Sequence, residues 1–255
     1  MQEAMSTTKR ELTVFGIISE AWKLTYGAKW AICLPALFVM IPAYIAIIFM
    51  TIVFFMGGGS GITGFIFIVI GIGLLYLMIG CLCGALKVSI ERARGKFIRA
   101  TSGFHSFSRV IPMVLTLLLV GILLLPGNLL QYIPGLNGQT QGAMVTVFIL
   151  KTVYGLLVGS LVYMSFPLVI DKINSPFAAL YRSFKASWPH WLKLIGVFVI
   201  AEIISLISMI PFMLGMILKN QIVAIVGCGV MFVALIWILP FLFLIQGVIY
   251  HKLFD

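Results

Sequence analysis

The chain has 255 residues, 62% of them hydrophobic and only 9% charged, with a mean hydropathy of +1.18. Soluble domains are about half apolar and about a quarter charged. A water-soluble fold of this length cannot hide so much apolar surface, so lipid must solvate most of the chain. That excludes a cytosolic enzyme, a secreted domain and a disordered protein. The 17 basic residues outnumber the 7 acidic ones, but their placement explains the excess without a nucleic-acid partner.

In chain order, apolar runs long enough to cross a bilayer fall at 30–56, 62–87, 110–131, 144–170, 191–218 and 222–250. They predict an all-α integral membrane protein with six transmembrane helices in a single domain over 1–255. The first run is longer than the core of a signal peptide and has no small-residue cleavage site at the right place, so it is expected to be retained. Of the 17 basic residues, 15 flank the spans on one side, and only Lys151 and Lys219 fall on the other. The positive-inside rule then places both termini in the cytoplasm. The opposite connections (Gly57–Gly61, Pro134–Gly142 and Lys219–Gln221) are nearly neutral.

A short polar segment precedes each odd-numbered span. In the third, Ser175-Pro176 reads as a helix start with a capping hydroxyl. Phe177, Leu180, Tyr181, Phe184 and Trp188 then share one face, and Arg182 and Lys185 take the other. The first segment repeats the pattern with Phe15, Ile18, Trp22 and Tyr26 against Ser19, Glu20 and Lys23. The second has Phe97 and Phe104, weakened by Ala100, Thr101 and Gly103. Three cytoplasmic-side amphipathic helices lying in the headgroup plane are therefore expected. Phe15, Phe97 and Phe177 are spaced by 82 and 80 residues. This predicts a threefold internal repeat with units of roughly 11–90, 93–172 and 173–252. The layout resembles that of mitochondrial carriers, but their signature of proline, acidic and basic residues ending each odd span is missing.

The run from Phe166 to Leu180, with Asp171 ending a span and Ser175-Pro176 opening a helix, leads into Arg182-Ser183-Phe184 and then Trp188 to Leu192. It resembles a group of bacterial inner-membrane proteins related to the membrane domain of some glycerophosphoryl diester phosphodiesterases. The likeness covers roughly residues 160–200 and is topological elsewhere. It implies a helical bundle in a bacterial inner membrane. It transfers no activity, because the phosphodiesterase catalytic domain is absent from this sequence.

Glu202 lies about 16 Å along the fifth span from Trp191 at 1.5 Å per residue, near the bilayer midplane. An acidic group there marks a functional site by default. Ser205 shares its face at i+3, and Lys151 is the other ionisable residue deep enough to approach. The two readings are an ion- or proton-coupled site and a structural carboxylic acid held between helices. Asn128, Gln131 and Gln246 are polar span residues expected to make helix contacts, and Asp171 with Lys172 is expected to cap the fourth span. Cys33, Cys81, Cys83 and Cys228 sit in apolar runs and imply neither a disulfide framework nor a metal site. His105, His190 and His251 lack metal-ligand or triad spacing.

No catalytic residues and no cofactor follow from these patterns. The leading expectation is a non-enzymatic binding or scaffold protein. Its collar would engage anionic membrane lipid or a protein partner at the cytoplasmic face through Phe15, Trp22, Lys23, Phe97, Phe104, Phe177, Tyr181, Arg182, Phe184, Lys185 and Trp188. The alternative is a small transporter or channel using Glu202. A membrane-embedded lipid enzyme ranks third.

Overall fold

Backbone amides in lipid have no water to bond, so the chain satisfies them within helices. The computed structural model describes residues 12–57, 61–104, 106–133, 141–173 and 175–255, and among them there are no strands. The helices are α1 (Val14–Gly57), α2 (Gly61–Ala93), α3 (Val110–Leu129), α4 (Gln141–Val162), α5 (Ser165–Asp171), α6 (Pro176–Ser187), α7 (Trp191–Ile217) and α8 (Gln221–Phe254). Six helices are long and apolar enough to cross a membrane, as the sequence predicts. Lys9, Arg10, His105 and most of the two longer neutral connections lie outside the described residues.

The polar segments before the odd spans differ from one another. The first is no separate element: α1 runs unbroken through 44 residues, about 66 Å at 1.5 Å per residue, and so extends well beyond a hydrocarbon core of about 30 Å. The second contains no α-helix. Gly95, at φ +76°, stops α2, and only short 3₁₀ turns follow at Ala100–Phe104 and Phe107–Arg109. Thr101, Ser102 and Gly103 are weak helix formers, which accounts for the difference. The third is α6, with Ser175 at its N-cap position and Pro176 first in the helix, although the serine side chain makes no capping hydrogen bond.

Burial is concentrated at one end. Ile17, Ile32, Val88, Met164, Leu168, Leu194, Phe241, Leu244, Ile245, Ile249 and Tyr250 form the core where α1, α2, α5, α7 and α8 meet. The basic residues flanking the helices gather there, and we call it the basic end. Toward the neutral end, α1, α2, α3, α4, α7 and α8 turn mainly exposed apolar side chains outward. Contact there persists within hairpins. A side chain on Gly127 would strike Tyr154, and one on Gly227 would strike the Pro211 backbone.

The break between α4 and α5 has a specific cause. Pro167 has no N–H to give the carbonyl of Tyr163, four residues earlier. Gln246 of α8, itself buried, donates to that carbonyl instead through Nε2 at 2.8 Å. Gln246→Leu is expected to leave the carbonyl unpaired and cost about 1–3 kcal/mol. Thermal unfolding in detergent measures this, and a variant melting with the wild type would show that α8 does not support the break.

Candidate functional site

Three arrangements carry polar or aromatic chemistry: a groove at Glu202, an aromatic rim at the basic end, and an ion cluster.

The groove is a cavity of about 550 Å³ between α4, α7 and α8, lined by Glu202 and Ser205 together with Thr152, Ser160, Tyr163 and Phe198. Glycines 155 and 159 also line it, leaving the α4 wall without bulk. Its remaining walls are apolar. Glu202 is exposed and makes no hydrogen bond or ion pair among the described residues. The structure thus joins Glu202 with Ser205 but leaves Lys151 exposed and outside the lining. Ser205 Oγ donates to the Ala201 carbonyl at 2.9 Å, so its hydrogen is committed to its own helix.

The rim aromatics of α1 and α6 face out, and in α6 the residues facing the protein are small. In α6, Ala179, Ser183 and Ser187 are buried, whereas Phe177 is 71% exposed and Trp188, directly after the helix, 56%. Ser183 Oγ fastens the helix by donating to the Leu161 carbonyl at 2.7 Å. Tyr181, Arg182, Phe184 and Lys185 are exposed as well, and the Phe184 and Trp188 rings stack at 5.3 Å. In α1, Ile17, Ala21, Thr25 and Ala28 point inward while Phe15, Trp22, Lys23 and Tyr26 are exposed. Phe97 is almost fully exposed.

Two members are also held by protein. Trp22 packs on Trp237 and Phe241 of α8, and Phe104 meets Phe38 edge-on at 5.6 Å. Beside Trp22, a mainly apolar groove of about 500 Å³ runs between α1, α7 and α8. Lys29 Nζ lies 4.0 Å from the Trp237 ring centre, a cation–π contact.

The ion cluster joins the basic ends of three returning helices. Arg94, just past α2, reaches Asp171 at the end of α5 with two hydrogen bonds of 2.8 and 2.6 Å. It also reaches Asp255 just past α8 at 2.8 and 3.1 Å. Tyr250 donates to Asp171 at 2.8 Å, and Lys172 and His251 both contact Asp255. The Asp171 side chain thus bonds to groups from α8 and the end of α2, and Lys172 pairs with Asp255. A second tie, Lys252 to Glu20 at 2.7 Å, joins α8 to α1. Sequence reasoning missed the cluster because Arg94 is 77 residues from Asp171 and 161 from Asp255. The available signal was that an Arg and two Asp end three successive return helices. Among the described residues no group of three or more His, Cys, Asp or Glu is placed to hold a metal ion.

Hydrogen bonds donated to Asp171, and then to Asp255, raise the Arg94 pKa above its ordinary value. Burial pushes the Asp255 carboxyl up, but hydrogen bonds from Arg94, Lys172 and His251 outweigh it and hold the group well below the usual range. A depressed carboxyl contributes stability that is complete above its unfolded value, about pH 4. That contribution is lost as pH falls through the folded value. Arg94→Met is expected to lose about 1–3 kcal/mol at neutral pH. The gap from the wild type should narrow below about pH 4. Paired thermal melts from neutral to acid pH test this, and a gap that stays constant would contradict it.

Compared with known proteins, the chain matches no family model, no curated protein and no solved structure.

Proposed function

We propose that this is a non-enzymatic binding or scaffold protein of a bacterial inner membrane, engaging anionic lipid through its basic end, with both termini cytoplasmic. The observation that carries this reading is the direction of α6. The helix packs through Ala179, Ser183 and Ser187 and presents Phe177, Tyr181, Phe184 and Trp188 outward beside Arg182 and Lys185. Aromatics at the acyl boundary with cations at the headgroups are the chemistry of an interfacial helix. The exposed Phe15, Trp22 and Phe97 extend the same surface into a collar. A protein partner at the cytoplasmic face would use the same aromatics. The internal repeat gains support from the ion cluster, to which each return helix contributes one end. The local resemblance to the phosphodiesterase-linked membrane group fits this reading.

The test uses Trp188 as its own reporter, taken as the fluorescence difference between the wild type and Trp188→Phe in nanodiscs. Phosphatidylglycerol with brominated acyl chains should quench it more than the brominated phosphatidylcholine analogue. Arg182→Gln with Lys185→Gln should remove most of that preference, at about 1 kcal/mol per cation. Quenching by aqueous iodide but not by bromolipid would end the proposal.

The Glu202 groove favours a second reading, a small transporter or channel with Glu202 as the coupled group. An unpaired carboxylate in a wide intramembrane groove is the observation behind it. Proteoliposomes carrying a potassium gradient and valinomycin should then take up protons faster than empty vesicles, and Glu202→Gln should abolish the difference. Wild-type vesicles behaving like empty ones would eliminate proton-coupled movement.

A further inference from the structure

A smaller cavity, of about 290 Å³, lies at the basic end among α2, the turn before α3 and the end of α5. Unlike the Glu202 groove, it is mainly polar and more enclosed. Lys87 and Glu91 line it from α2, Ser106, Ser108 and Arg109 from the turn, and Asp171 from α5. Asp171 is already engaged by Arg94 and Tyr250, so the other charged groups lining the cavity are Lys87, Arg109 and Glu91. Lys87 and Glu91 are one helical turn apart, yet they form no ion pair within 4 Å.

Ser106 supplies the independent sign of a ligand. Its side chain is 2% exposed, and its Oγ has no hydrogen-bond partner. A buried hydroxyl left unpaired is destabilising, and here it borders a cavity with room for an acceptor. The 20-residue helix α3 begins directly after Arg109 with no side-chain cap. Its partial positive charge adds to the attraction for an anion beside the turn. An ammonium, a guanidinium and two hydroxyls grouped around one space match the several oxygens of a tetrahedral oxyanion.

We propose that this cavity binds a phosphate group, carried either by a phospholipid headgroup or by a free phosphate. The site is separate from the aromatic collar and uses none of its residues. Lys87 and Arg109 neutralise the phosphate charge, and Ser106 and Ser108 donate to its oxygens. Glu91 stands where the amine or hydroxyl of a headgroup would find an acceptor.

Delipidated full-length protein in detergent would be titrated with dioctanoyl phosphatidylglycerol and, separately, with inorganic phosphate. Binding would be followed by native mass spectrometry and thermal shift. Saturable binding of the lipid alone identifies a headgroup site, whereas binding of inorganic phosphate identifies a free-phosphate site, and either supports the proposal. Lys87→Gln should weaken binding about tenfold or more, with Lys87→Arg restoring part of it. Ser106→Ala should leave the melting point of the empty protein unchanged or higher while reducing the ligand-induced shift. Arg182→Gln with Lys185→Gln should bind as the wild type does, so failure of the collar is read separately. No binding of either probe, or equal binding by wild type, Lys87→Gln and Ser106→Ala, would overturn the assignment.

Discussion

Helices in lipid gain little from burying apolar surface against one another, because the lipid is as apolar as their side chains. Their association therefore depends on close approach and on polar ties, and in this protein both are found mainly at one end. Arg94 reaches carboxylates contributed by two other helical hairpins, Asp171 and Asp255. Gln246 closes the backbone gap that Pro167 opens between α4 and α5. At Gly247 of α8 a side chain would collide with the Ser89 carbonyl of α2, so those two helices meet backbone to backbone.

This asymmetry determines which surfaces are available. Toward the neutral end the hairpins hold internally and present apolar side chains outward, so grooves form between them. Glu202 lies in one such groove, one residue beyond buried Ala201. At the basic end the packing is tight, and the outward surface is aromatic and cationic. The exposed aromatic rim and the polar cavity before α3 are both consequences of that packing. α6 reaches into the bundle with small residues and must turn its bulky ones away. The turn before α3 is pressed against α2 closely enough to bury Ser106.

Much of this was legible beforehand, for reasons particular to certain residues. The six spans follow from apolar length alone. The turn at Lys219-Asn220 was visible as a polar break, and Asn220 caps α8 by accepting from the N–H groups of Ile222 and Val223. The α6 stripe was visible in its period, but the packing face was not. An aromatic stripe marks the apolar side of a helix without saying whether protein or lipid covers it, and Ala179, Ser183 and Ser187 carry no obvious pattern. The second polar segment misled for a different reason. Phe97 and Phe104 stand seven residues apart as a helix would place them, while Thr101, Ser102 and Gly103 are weak helix formers and only a short 3₁₀ helix forms there.

The sequence by itself determined the all-helical class of the protein, the number of its long apolar helices, and the ends of those helices at which its cations gather. Those properties depend on the transfer of local segments into lipid, which composition and length govern. Tertiary structure alone decided that Arg94 joins Asp171 and Asp255, that Glu202 faces a groove without Lys151, and that Ser106 is buried beside Lys87. Those pairings bring together residues tens to more than a hundred positions apart. They depend on which helix faces touch, and in lipid small side chains and single hydrogen bonds decide that, since hydrophobicity cannot distinguish one face from another.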